Sequence, residues 1–225
     1  MVWQTYDYYL EPTAAYFAIK KASEPLHIQW NPATDEVEVV NYSAGTHSHL
    51  TARVQILNMD ASVAWEKETT VDSREDTTEK CIKLEFPETL SEVYFIKLWL
   101  LEDGKILSDN FYHASRKGIN YQALKQLPEV TLDCQAKVVQ DKEGNWTATV
   151  TLTNPTSTPA LMTRINVVGD KDGDQFLPIL YEDNYFALLP GEQKEVSVRW
   201  KDVDTRGNSP VIRITGYNVK ELSRQ

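Results

Sequence analysis

"LTARVQI", residues Leu50 to Ile56, alternates apolar and polar at every step. In a strand this period of two puts Leu50, Ala52, Val54 and Ile56 on one face and Thr51, Arg53 and Gln55 on the other. A helix would scatter the same residues around its circumference. The alternation recurs on both sides: Leu26–Trp30 and Val37–Val39 before it, Lys80–Phe86, Val93–Leu101 and Ile106–His113 after it. Asn31-Pro32 turns the chain early, and Glu102-Asp103-Gly104-Lys105 joins the last two strands, with Asp103-Gly104 supplying residues that accept positive φ. So many short strands in about ninety residues predict an antiparallel sandwich of immunoglobulin-like type.

From Arg116 to Pro128 the rhythm lapses into a polar stretch punctuated by Gly118 and Pro128, which reads as a linker. Then it resumes. Val130–Val138 alternates, Asp141-Lys142-Glu143-Gly144 turns it, and "WTATVTL" (Trp146–Leu152) alternates again, threonines toward water and Ala148, Val150 and Leu152 inward. Leu161–Val168, Val196–Trp200 and Val211–Thr215 complete a second sandwich of similar size. The expected organisation is a helical segment over residues 1–25, a sandwich over 26–115, a linker over 116–128 and a second sandwich over 129–225. The fold class is all-β apart from the opening two dozen residues.

Composition narrows the function. The 225 residues carry 33 acids against 23 Lys and Arg, a formal net charge of −10 that repels phosphate backbones, so nucleic acid is not an expected partner. No run approaches the roughly 18 apolar residues of a membrane span, and none is expected to insert. Met1–Thr5 has neither the basic start nor the apolar stretch of a signal peptide. Cys81 and Cys134 fall in separate expected domains and read as two reduced thiols. The sequons at Asn41 and Asn145 carry no weight, because the pattern recurs by chance.

The opening stretch breaks the all-β rule. Trp3, Tyr6 and Leu10 fall at helical spacing, and Pro12 sits where a first helical turn accepts proline. Tyr16, Ile19 and Lys20 share a side with Phe17 adjacent, Lys20 and Lys21 suit a helix C-terminus, and Pro25 stops it. A helix this short and this aromatic needs a large partner surface.

"WQTYDYYLEPTAAYFAIKKASEPLHIQWN", Trp3 to Asn31, resembles the last barrel helix and crossover strand of family 2 glycoside hydrolases, closest to the exo-β-D-glucosaminidase branch related to the β-mannosidases. "SDNFYHAS" (Ser108–Ser115) resembles the last strand of that branch's penultimate domain, with His113 where a tryptophan is common. "YEDNYFALLPGEQKEVSVRW" (Tyr181–Trp200) resembles its final immunoglobulin-like domain. The resemblance implies a non-catalytic C-terminal region of an exo-acting hydrolase of terminal β-linked glucosamine or mannose, preceded by a remnant of a (β/α)8 barrel. It implies a parent that is secreted or periplasmic rather than cytoplasmic. The expected partners are the parent's own catalytic barrel and, through it, carbohydrate. With the barrel absent, the helix is expected to be orphaned: open to self-association, and dispensable to the sandwiches.

Chemistry on the chain itself is sparse. A retaining glycosidase needs two carboxylates about 5 Å apart, and the resemblance places both before Met1. Trp3 and Asp7 are the substrate-binding candidates, as residues nearest the barrel mouth; the plainer reading of Asp7 and Glu11 is acids at a helix start. Asp170, Asp172 and Asp174 alternate in "GDKDGDQ", but glycine comes fourth rather than sixth and the twelfth residue is Tyr181, so the calcium-loop reading yields to a hairpin tip. His47 and His49 lack a third ligand at metal spacing. No metal and no cofactor is expected. Asp183-Asn184-Tyr185-Phe186 reads as a turn that bonds amides and fills a sandwich end. The rival function, a carbohydrate-binding module using Trp65, Trp146 or Tyr121, would require coplanar exposed rings.

Overall fold

The computed structural model describes residues 4–171 and 173–224. Trp3 and Asp172 lie outside the described residues. The chain divides into two compact units, Lys20–Gln126 and Leu127 onward, and the opening segment through Ile19 belongs with the second.

The first unit is the expected sandwich. One sheet holds β1 (Leu26–Asn31), β2 (Glu36–Asn41) and β5 (Thr77–Lys83) in the order β1-β2-β5; the other holds β3 (His47–Asn58), β4 (Val63–Ser73), β6 (Val93–Glu102) and β7 (Lys105–Ser115) in the order β4-β3-β6-β7. All pairings are antiparallel. The inward residues read from Leu50–Ile56 are fully buried and join Ile28, Val37, Val39, Ile96 and Leu98 in one core. Glu102 pairs with Lys105 across Asp103 and Gly104, both at positive φ, the two-residue turn expected of Asp-Gly.

Strand β4 has no counterpart in the sequence reading. Its "VAWEKETTVDS" is mostly exposed and charged, an edge strand whose Glu66, Glu68 and Asp72 face discourages further pairing while Trp65 and Val71 only partly cover the core. The segment expected as a bare linker carries a 3-10 turn at Gln122–Gln126. The Arg116 guanidinium donates to the carbonyls of Glu88 and Leu90 at 2.6 and 3.0 Å, tying the start of this segment to the first sandwich.

The second unit contains β8 (Asp133–Gln140), β9 (Asn145–Thr153), β10 (Ala160–Gly169), β11 (Leu180–Tyr181), β12 (Phe186–Leu188), β13 (Gln193–Lys201), β14 (Pro210–Thr215) and β15 (Leu222–Arg224), in sheets ordered β11-β13-β9-β8 and β12-β10-β14-β15. Ala148, Val150, Leu152, Ile165, Val167, Val196, Val198, Ile212 and Ile214 are fully buried between them. Cys81 and Cys134 are both free thiols, one in each unit.

The opening stretch departs from expectation. Helix α1 covers only Ala14–Ala22, with no acid in its first turn, so neither Asp7 nor Glu11 starts it. Residues 5–13 instead fold back as a tight turn, because the Asp7 side chain offers the backbone amides a closer acceptor than a helix would. Nor is the helix orphaned. Phe17, 6% exposed, belongs to the core cluster of the second sandwich.

Candidate functional site

The turn that carries Asp7 is built from its own sequence. The N–H of Asp7 donates to the Glu11 carbonyl at 3.0 Å and that of Leu10 to the Asp7 carbonyl at 3.2 Å. Tyr6 and Pro12 form an antiparallel bridge below, and the N–H and hydroxyl of Thr13 both donate to the Thr5 carbonyl at 3.0 Å. Asp7 Oδ1 accepts from the amides of Tyr9 and Glu11 at 2.8 and 2.9 Å, the self-bonding for which aspartate is favoured in turns. Leu10 closes the loop at φ 67°, a left-handed conformation. Above this frame Tyr8 and Tyr9 meet edge to face, ring centroids 5.2 Å apart, and are 91% and 70% exposed.

Two anchors seat the turn on the second sandwich. The first is polar. Along β10, Ile165 and Val167 point into the core, so Arg164 and Asn166 stand on the opposite face. Glu11, buried, accepts from both through Oε1: the Arg164 guanidinium in an ion pair and Asn166 Nδ2 at 3.0 Å. Arg164 also stands 5.8 Å over the Tyr185 ring. The second anchor is aromatic. Tyr6 contacts Tyr16 at 5.2 Å, Tyr16 contacts Phe17 at 5.1 Å, and Phe17 reaches Tyr185 at 5.9 Å and Tyr181 at 6.5 Å. Burial pushes the Tyr181 and Tyr185 phenols up, so both remain neutral.

The Asp183–Phe186 loop takes its expected structural role, as the wall that receives Phe17. Asn184 is buried; its Oδ1 accepts from the Ile165 N–H at 2.7 Å and its Nδ2 donates to the Ile165 carbonyl at 2.9 Å, so β10 is held from the side. Asp183 pairs with Lys194 at 2.6 Å. Tyr185 is held at φ 58°, which turns its ring toward Phe17 and Arg164.

The remaining candidates do not assemble into a site. Asp170 Oδ1 accepts from the Ser209 N–H at 2.9 Å, and no group of three metal-ligating side chains occurs among the described residues. His47 contacts the Ser43 hydroxyl at 2.9 Å through Nε2 and lies 3.7 Å from Glu102 through Nδ1, while His49 occupies a left-handed bulge. His113 packs edge-on against the stacked rings of Phe95 and Phe111, and burial lowers its pKa. Trp65 packs against the first core; Trp146 stacks on Trp200 at 6.1 Å and donates to Asp202 at 2.9 Å; Tyr121 lies in a different unit from Trp146. An open groove of about 500 Å3 beside Glu24, His27, Gln29 and Tyr42 is lined by a carboxylate already engaged by Lys21, Ser108 and His27.

Sequence reasoning missed Glu11, Arg164 and Asn166. Glu11 resembles any acid near a helix start, and nothing local to Arg164 marks a partner 153 residues away. The one usable signal was the Arg-Ile-Asn alternation in β10, which places two polar groups on the outer face of a strand that is otherwise buried.

Comparison with known proteins gives a consistent picture. Residues 110–219 match the exo-β-D-glucosaminidase Ig-fold domain family. The exo-β-D-glucosaminidase of Streptomyces avermitilis is 33% identical over 97% of this chain and 27% of its own length; that of Amycolatopsis orientalis is 31% identical over 96% and 23%. The crystal structure of the A. orientalis exo-chitosanase CsxA superposes with a TM-score of 0.90 at 28% identity, covering 99% of this chain and 29% of that one. The chain therefore spans about a quarter of the length of the curated relatives it matches, and it corresponds to their C-terminal immunoglobulin-like portion.

Proposed function

We propose that this chain, whose residues 110–219 match the exo-β-D-glucosaminidase Ig-fold domain family, is the non-catalytic accessory region of an exo-acting hydrolase that removes terminal β-linked glucosamine. The observation that carries the reading is the extent of the similarity, which runs through the opening turn, both sandwiches and the segment between them at 97% of the chain. A free-standing binding module would be expected to match over one sandwich. Glucosamine is preferred over mannose because the first five curated relatives all carry the name exo-β-D-glucosaminidase.

In this reading the sandwiches supply shape and support, and their principal partner is the catalytic barrel of the same parent. Self-association through the helix loses its motive, since Phe17 is already covered within the chain. Asp7 is the residue of the chain assigned to the substrate side. The purified chain should leave aryl β-glucosaminides and β-mannosides intact. Turnover that survives purification to homogeneity and disappears on substituting one of the chain's own acids would contradict the accessory role.

A further inference from the structure

Glu11 sits at the middle of a continuous set of contacts that joins the final sandwich to Asp7. Its N–H donates to Asp7 Oδ1 at 2.9 Å and its carbonyl accepts from the Asp7 N–H at 3.0 Å, so its backbone grips Asp7 at two points. Its side chain is buried on β10, where the Arg164 guanidinium and Asn166 Nδ2 both meet Oε1. Ile165 lies between those two donors, and Asn184 bonds both its N–H and its carbonyl, so the strand that presents them is itself fixed. Attachment alone does not call for this arrangement. Phe17 already gives the opening segment an apolar seat in the core, and a buried ion pair adds little stability over apolar side chains of similar volume. What it adds is orientation, because charge-assisted bonds are short and directional.

We infer that Arg164, in the final sandwich, is a positioning residue of the parent enzyme, setting through Glu11 the place of Asp7 at the substrate side. This rests on the accessory-region reading and extends it, since the final sandwich then shapes substrate binding as well as supporting the barrel. Arg164 acts at one remove: its guanidinium meets Glu11, and Glu11 meets Asp7. A guanidinium suits the task better than an ammonium group. Glu11 takes one end of it and the Tyr185 ring lies 5.8 Å away, so its plane is held from two sides. A turn that loses this hold displaces Asp7 without altering its chemistry, and small misplacements of a binding group carry large kinetic costs.

The test is steady-state kinetics of the full-length parent on an aryl β-glucosaminide, beside amide hydrogen exchange of the 225-residue chain. Arg164→Met should raise KM about tenfold and leave kcat within about twofold, the mark of lost binding rather than lost chemistry. Loss of stability alone would instead lower kcat with the folded fraction and leave KM in place. Asp7→Ala should raise KM as much, and Arg164→Met added to it should change nothing further. Arg164→Lys, which restores the cation, should recover part of the loss. Arg213→Met, on the same outer face as Asn166 but paired with Glu221, should match the wild type. In the 225-residue chain, Arg164→Met should speed exchange of the Tyr9 and Glu11 amides about tenfold, since both donate to Asp7. Asn166→Ala spares the ion pair and should give a smaller rise in both readouts, even where Arg164→Met fails to fold. An unchanged KM in both Arg164→Met and Asn166→Ala, additive KM effects in the double variant, an equal rise in Arg213→Met, or unaltered exchange at Tyr9 and Glu11 would each overturn the assignment. The exchange result is independent of the accessory reading, which fails instead on intrinsic turnover by the chain alone.

Discussion

Glu11 and Arg164, 153 residues apart in the chain, form an ion pair on the outer face of β10, and Asn166 donates to the same carboxylate oxygen. The pair fixes where the opening segment lies. Removing one member strands the other: Glu11→Ala leaves a partly buried guanidinium and an amide without an acceptor, at a cost of about 2–3 kcal/mol to the second unit. Arg164→Met, which keeps the stem and removes the charge, should cost about as much. The double variant should cost less than the sum, as a double-mutant cycle by chemical denaturation would show.

Phe17 makes the matching apolar contribution. Truncating a buried aromatic forfeits its transfer free energy and leaves a cavity, so Phe17→Ala should destabilise the second unit by about 3–5 kcal/mol. The first unit should melt as before. Calorimetry that resolves two transitions would display this directly, with only the one for Leu127 onward displaced.

Proteolysis separates covalent from physical connection. Ile119 is 94% exposed and follows Arg116 and Lys117, so trypsin should cut first near Gly118. The pieces should nevertheless co-elute on size exclusion without denaturant, because residues before Ile19 belong to the core formed after Leu127. Pieces that separate freely would contradict the seating of Phe17.

Acid should weaken the first unit through Glu24. Burial raises the cost of its charge, but hydrogen bonds from His27, Lys21 and Ser108 outweigh it and lower the carboxyl from 4.5 to about 2. A depressed carboxylate stabilises the fold above its unfolded pKa and loses that contribution as pH falls through the folded one, because the unfolded chain then takes up the proton. The decline belongs between pH 4.5 and about 2. Glu24→Gln should flatten the stability-versus-pH slope of the first unit in that window, read from urea midpoints at stepped pH.

The sandwiches were legible because their determinants are local. Leu50–Ile56 and Trp146–Leu152 state their faces in the order of their own residues, and Asp103-Gly104 states its turn. Strand β4 was not legible, since Lys67 and Thr69 interrupt its one apolar face of Val63, Trp65 and Val71 and blur the period of two, as an edge strand tolerates. The opening segment misled for a related reason. Its aromatics do fall at helical spacing, but Asp7 captures two amides and converts the first turn of an apparent helix into a loop. That Phe17 has a partner within the chain follows only from long-range packing onto Tyr181 and Tyr185, which no local pattern records.

The most direct test of the opening segment as a built-in part of the second sandwich is calorimetry of the chain lacking residues 1–19. The loss of Phe17 and of the Glu11 ion pair together should lower the melting transition of the Leu127–Gln225 unit by well over about 10 °C, at roughly 4–8 °C per kcal/mol for a domain of this size. The Lys20–Gln126 transition should stay in place. A truncated chain whose two transitions both match the intact protein would contradict the account.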